Sequence, residues 1–293
     1  MPESSKSVRR LKKMAEGGYI DLHIHSNCSD SPLSPKEVVR EAKERGMTAI
    51  AVTDHDSVAG VETAIGEGEK LCIEVVSGVE LSVSDAASDI HVLGYFVDHT
   101  DPAFVSELER FKAARLERVK KILAKLKQLE VDIELDSVLK IAENGSIGRP
   151  HVAEALLASG YVDTFEEAFR RYIGHRSPAY VPKMLLTPND AFRLIEKAGG
   201  VSVLAHPGTV QRDDLIPEFV QLGMKGIEVW HPKHDRGTVR YYMELAKRYG
   251  LIVTGGSDSH GSRTANARIG SERVPYSILV SLKQTAARVT AGS

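Results

Sequence analysis

Short β-branched, apolar runs alternate with helix-patterned segments along most of this 293-residue chain, and that alternation limits the fold more than any single motif does. The runs are Tyr19–His25, Thr48–Thr53, Ile73–Val76 continuing to Glu80, Asp89–Phe96, Val201–Ala205, Gly226–Trp230 and Leu251–Thr254. Helical segments lie between them. Ser34-Pro35-Lys36-Glu37 is a capping box with proline at the first helical position, and Gly46 ends the helix it starts. Further helical patterns cover about Val58 to Lys70, Thr187 to Gly199, Asp214 to Leu222, Thr238 to Tyr249 and Pro275 to Val289. Strands separated by helices of this length predict βα units and a parallel sheet.

The alternation is interrupted once. Phe104 to Glu130 reads as one long helix, with Phe104, Leu108, Phe111, Val119, Ile122, Leu126 and Leu129 forming its apolar stripe. Arg115 breaks that stripe and is expected to snorkel at its edge. Shorter helical patterns follow near Asp136 to Ala142, Pro150 to Ala158 and Thr164 to Tyr172, with no strand pattern among them. Three segments are expected: a basic arm at 1–18, a barrel domain formed by 19–100 and 178–293, and an all-helical insertion at 101–177 over the barrel mouth. The long helix carries a local excess of positive charge, which suits a solvated basic face or a phosphate-steering cap.

Lys and Arg number 38 against 40 Asp and Glu, which argues against a globally basic nucleic-acid binder. There are 2 cysteines and no paired spacing, so neither a disulfide framework nor a thiolate zinc site is expected. The basic first residues carry no apolar stretch of the secretory type, and no long apolar run suggests a membrane span. A reducing, cytoplasmic setting is expected, with no membrane partner and no stable nucleic-acid partner. Oligomeric state is not legible.

The strand ends carry the chemistry. Period two places Asp21, His23 and His25 on one face of the first strand, and Asp30 follows in the next turn. Other strands end in Asp54-His55-Asp56, Glu80, His206, Glu228 with His231, and Asp258 with His260. His91 lies inside its strand, where a histidine is ordinarily a hydrogen-bonded core residue. In α/β barrels and parallel sheets, ligands gather at the C-terminal ends of strands, so these distant groups converge on one mouth. Imidazoles and carboxylates without thiolates suit catalytic zinc, manganese or iron with open positions. The donors exceed the three or so that one catalytic metal takes, so a cluster of two or three ions is expected. Two ions generate hydroxide at neutral pH and clamp attacking and leaving oxygens, as phosphoester hydrolysis requires.

Together, His23-x-His25 with Asp30, Thr53-Asp-His-Asp56, Gly78-Val-Glu80, His91, Ala205-His-Pro207 and Gly256-Ser-Asp-Ser-His260 resemble the PHP (polymerase and histidinol phosphatase) superfamily. Gly148-Arg-Pro-His151 and Tyr180-Val-Pro182 look like its TrpH-type branch of metal-dependent phosphoesterases. The resemblance implies a distorted, seven-stranded TIM-like barrel with a trinuclear site of divalent ions, manganese first and iron or zinc also accommodated. It implies one ion held by His23, His25, Glu80 and Asp258, a second by Glu80, His91 and His206, and a third by Asp30, His55 and His260. The implied reaction is attack of a metal-bridging hydroxide on the 3′-phosphate of nucleoside 3′,5′-bisphosphates, with 5′-to-3′ trimming of short RNA as a related activity. Histidinol phosphate is the nearest alternative substrate. An amidohydrolase or a non-catalytic metal-binding module of the same superfamily would be a different class.

Asp54, Asp56 and His231 are the general-acid candidates. Arg149 offers a bidentate fork for a second phosphate, with His151, His231 and His234 able to line the same pocket. Asp21 matches no ligand position and is expected to orient one of the two neighbouring histidines.

Overall fold

The computed structural model describes residues 17–84, 89–143, 145–182, 186–261 and 267–292. The basic arm expected at 1–18 lies almost wholly outside the described residues. Among the described residues, eight strands form one sheet: β1 (Tyr19–Ile24), β2 (Met47–Val52), β3 (Glu74–Ser84), β4 (Asp89–Tyr95), β5 (Val201–Leu204), β6 (Gly226–Trp230), β7 (Ile252–Gly255) and β8 (Val274–Pro275). Their order is β7-β6-β5-β4-β3-β2-β1-β8. That is one strand more than the seven expected, the addition being the two-residue β8 paired antiparallel to β1.

The sheet is not wholly parallel. β1, β2 and β3 run together, as do β5, β6 and β7, but β4 is antiparallel to both its neighbours. Four residues separate β3 from β4, far too few for a crossover connection, so the pair must fold back as a hairpin. The reversal puts the start of β4 beside the end of β3, pairing His91 with Ser82. A histidine in an apparent strand interior thereby reaches the mouth where the other strands end.

The barrel is nearly closed by the chain leaving β7. His25 N–H donates to Ser259 O at 3.0 Å, and Ile24 bridges Ser259 in parallel register. The approach is close enough that a Cβ on Gly256 would overlap the Cβ and backbone nitrogen of His23. Gly256→Ala is therefore expected to destabilise the fold by about 1–3 kcal/mol or more. Urea unfolding checks this, and unchanged stability would mean the seam has more room than it shows.

Helices cover the sheet where the caps predict them. α1 (Pro35–Glu44) starts at the Ser34–Glu37 capping box, and α2 (Val61–Leu71) follows β2. The segment between β4 and β5 holds α3 (Pro102–Gln128), α4 (Leu135–Ala142), α5 (Arg149–Ala158), α6 (Phe165–Ala168) continuing into a π-turn at Phe169–Ile173, and α7 (Pro188–Lys197). After β5 come α8 (Pro207–Val210), α9 (Ile216–Gln221), α10 (Arg236–Tyr249) and the closing α11 (Tyr276–Gly292).

α3 belongs to two apolar clusters. Phe104, Leu108 and Phe111 pack with barrel residues such as Val79, Leu81 and Val92, whereas Val119, Ile122 and Leu126 pack with Val138, Val152 and Leu156 of α4 and α5. Leu129, expected in the stripe, follows the last helical turn and is 41% exposed. Among the described residues, no helix is long and apolar enough to cross a membrane.

Candidate metal centre

Nine residues from six strand ends and their following turns meet at the barrel mouth. Their donor atoms form three mutually close groups: His23, His25, Glu80 and Asp258; His25, Asp30, His55 and His260; and His55, Glu80 and His91. His206 joins the last group, its Nε2 lying 3.3 Å from His91 Nδ1. Glu80 is fully buried at the centre. Its Oε2 lies 3.3 Å from His23 Nε2, 3.3 Å from His25 Nε2 and 3.0 Å from His55 Nδ1. Its Oε1 lies 2.8 Å from His91 Nδ1 and 3.0 Å from His206 Nε2.

Neighbouring acceptors fix how three of these rings are protonated. His23 Nδ1 lies 3.0 Å from Glu228 Oε1, and His260 Nδ1 lies 2.9 Å from the Asp258 backbone oxygen. His206 Nδ1 lies 3.1 Å from Thr209 Oγ1, whose own proton goes to His206 O. Each Nδ1 therefore carries hydrogen, and in the neutral ring each Nε2 presents a lone pair. Those lone pairs face carboxylates: His206 toward Glu80, His23 toward Glu80 and Asp258, and His260 toward Asp30 at 3.3 Å. A lone pair held against a carboxylate oxygen needs a proton or a cation between them. Buried His23 Nε2, His55 Nδ1 and Glu80 Oε2 make no hydrogen bond among the described residues. This donor set fits divalent metal ions.

The titration behaviour agrees. Burial alone would lower His25, but the Asp258 and Glu80 carboxylates overcome it and push the imidazole up to about 10. Burial likewise opposes the rise at His23 and His260, where nearby carboxylates, Glu228 first and Asp30 first respectively, win. Glu80, Asp30 and Asp258 are held well below the usual carboxylate range, burial being overcome by the surrounding imidazoles. Without metal the His25 ring carries a proton at neutral pH, and a metal ion must displace it. Metal uptake is therefore expected to release protons at neutral pH and to weaken as pH falls. Calorimetric titration of metal-free protein with Mn(II) in buffers of different ionisation enthalpy measures the release. A binding enthalpy independent of buffer would refute it.

The residues around the groups divide differently from the sequence expectation. Asp21 orients neither histidine ring. Its carboxylate accepts the backbone N–H groups of His23, Ser257 and Gly270, tying β1 to the chain after β7. Glu228, which the sequence offers only as one more strand-end carboxylate, does that work. It holds the His23 ring with one oxygen and accepts the His206 backbone N–H at 2.8 Å with the other.

None of the three expected general acids lines the cavity. Asp54 accepts Ser26 N–H, Ser26 Oγ–H and Ser29 Oγ–H at 2.6–2.7 Å, which fixes it as an organiser of the turn before Asp30. Asp56 accepts the Ser82 N–H at 2.8 Å and Arg115 Nε–H at 2.6 Å. His231 is buried behind Asp258: its Nδ1 accepts the Lys233 N–H, so its Nε2–H points to Asp258 Oδ2 at 3.3 Å.

The pocket histidines are displaced too. His151 is buried and its Nδ1 accepts the Gly148 N–H, a helix-capping role. His234 donates through Nδ1 to Val229 O and accepts Gly208 N–H at Nε2, and burial keeps its pKa low. Both ring nitrogens are committed to backbone.

A cavity of about 370 Å³ opens over the metal-capable groups. Its lining also includes Arg115, Arg118, Arg149, Phe169 and Lys233. Arg149 is the one expected substrate residue found there. Its guanidinium lies 5.7 Å from the Phe169 ring centre and 5.6 Å from that of Tyr180. Arg115 does not snorkel at an edge: it crosses to the barrel, binding Asp56 and donating to Ser82 Oγ at 2.8 Å. Arg118 is buried, with Nε donating to Val181 O at 2.8 Å. A helical stripe interrupted by arginines carries a weak sign of this arrangement, which only the docking of α3 makes definite.

The profile of the PHP domain family matches residues 21–194. A 3′,5′-nucleoside bisphosphate phosphatase of Chromobacterium violaceum is 33% identical over 257 residues, covering 86% of this chain and 90% of that protein. A phosphoribosyl 1,2-cyclic phosphate 1,2-diphosphodiesterase of Eggerthella lenta is 33% identical, with 87% and 98% covered. A Bifidobacterium adolescentis crystal structure assigned as a metal-dependent phosphoesterase superposes with a TM-score of 0.84 at 30% identity, covering 90% of this chain and 95% of that one.

Proposed function

The chain belongs to the PHP domain family and is a metal-dependent phosphoesterase, and from that premise we propose that it removes the 3′-phosphate from nucleoside 3′,5′-bisphosphates. The observation that carries this reading is the cavity itself, which is lined both by imidazole–carboxylate groups and by three guanidinium groups with Lys233. One phosphate is processed at the imidazole–carboxylate groups and a second is held by the guanidinium groups.

In this proposal His23, His25, Glu80 and Asp258 would hold one divalent ion, Glu80, His91 and His206 would hold a second, and Asp30, His55 and His260 would hold a third. Such ions supply Lewis acidity, lowering the pKa of water and neutralising charge on phosphoryl oxygens. Glu228 fixes the His23 ring so that its Nε2 faces inward. Arg149 is a planar fork already oriented by two aromatic rings, suited to bidentate recognition of a phosphate. Asp54, Asp56 and His231 are not among the residues that line the cavity, and Lys233 is the lining group outside the metal-capable set that would give a proton to the departing ribose oxygen.

The two apolar clusters that share α3 support treating 101–177 as a cap inserted between 19–100 and 178–293.

The test is a screen of Mn(II)-loaded protein against nucleoside 3′,5′-bisphosphates, 3′- and 5′-monophosphates, histidinol phosphate and short 5′-phosphorylated RNA. The bisphosphate is expected to give the highest kcat/KM. Preferential turnover of histidinol phosphate or RNA would redirect the substrate assignment. Protein shown to hold metal yet inert on every phosphoester would overturn the proposal.

A further inference from the structure

We propose that Gly145, with the backbone of Ser146, is a positioning device that clasps the turn bearing Asp30 and so completes the Asp30–His55–His260 group. The inference rests on the assignment of that group as a metal site. The turn from Ser26 to Asp30 is held from the barrel side by the Asp54 carboxylate, and internally by Ser29 N–H to Ser26 O at 3.0 Å. Gly145 and Ser146, ahead of α5, also close on it. Ser146 N–H donates to Cys28 O at 3.0 Å.

Gly145 is buried against the same turn, and a Cβ built there would stand 2.5 Å from Ser29 O and 2.7 Å from Asn27 O. Both obstacles are backbone carbonyls, which cannot swing aside as a side chain would. Any residue but glycine must therefore push the turn away from α4. Asp30 comes next in the chain after Ser29, and its Oδ1 lies 3.3 Å from His260 Nε2. Three residues beyond Ser146, Arg149 begins α5 at the cavity. One short clasp thus sets a metal-capable carboxylate and a phosphate-binding guanidinium together.

Three measurements on the full chain decide the matter. In a Cys72→Ser background, Cys28 is a half-buried thiol within the clasped turn and reports its opening. Gly145→Ala is expected to speed labelling of Cys28 severalfold in metal-free protein, and an unchanged rate overturns the clasp. Gly145→Ala is also expected to weaken Mn(II) binding by about tenfold or more, the scale found when groups supporting metal ligands are altered. Gly66→Ala, whose added methyl meets nothing within 4 Å, should leave that affinity unchanged. In an Asp30→Ala background Gly145→Ala should cost no further affinity, because both act on one group; an additive loss overturns the assignment.

If Gly145→Ala does not fold, hydrogen exchange of the wild-type protein serves. The amide of Ser146 should gain protection on Mn(II) loading, and unaltered exchange there overturns the clasp. Wild-type protein that takes up no Mn(II) would refute the metal-site reading instead, leaving the labelling rate to decide the clasp.

Discussion

Glu80→Gln is expected to strip the protein of bound metal and to lower turnover by about 10²–10³-fold. Five imidazoles converge on this one buried carboxylate, three at Oε2 and two at Oε1. Gln keeps the shape but removes the negative charge, and its amide replaces one acceptor oxygen with a donor. The interior then holds cations without their shared counter-charge, which is costly at full burial. Metal per chain, measured by elemental analysis after loading and desalting, should fall with the rate. Wild-type metal content together with wild-type turnover would show that Glu80 is not the bridging group.

Arg149→Ala is expected to raise KM for a nucleoside 3′,5′-bisphosphate by roughly 10- to 150-fold, the range for losing hydrogen bonds to a charged partner. A 3′-monophosphate, which lacks the second anion, should be nearly unaffected, so the preference between the two substrates should narrow. Arg149→Lys should restore little, because an ammonium offers neither the planar fork nor the aromatic stacking that holds the guanidinium near Phe169 and Tyr180. Equal losses on both substrates would place Arg149 in the scaffold of α5 and remove it from phosphate recognition.

Much of this site is readable along the chain because its determinants are local. The capping box at Ser34 fixes the start of α1 whatever surrounds it, and the period-two pattern of Tyr19–His25 puts His23 and His25 on one face. His91 is harder to read. Its place at the mouth depends on β4 running backwards, a consequence of the short β3–β4 connection that the strand pattern alone does not emphasise. Arg115 and Arg118 have the periodicity of a helix edge, and they turn inward because Asp56, Ser82 and Val181 O wait there as acceptors.

By itself the sequence determined the alternation of strand and helix, the helical segment between β4 and β5, and the placing of imidazoles and carboxylates at strand ends. Hydrophobic period, caps and breakers act over a few residues and need no partner from elsewhere. Only the tertiary structure decided which group serves which. Glu228 takes the role expected of Asp21 because the fold brings it to His23 across 205 residues of chain. Of the three acid candidates, Asp54 and Asp56 are taken by donors from other elements, and His231 is tied to Asp258 and the Lys233 N–H. A carboxylate's role depends on which donors reach it, and contacts between distant segments settle that.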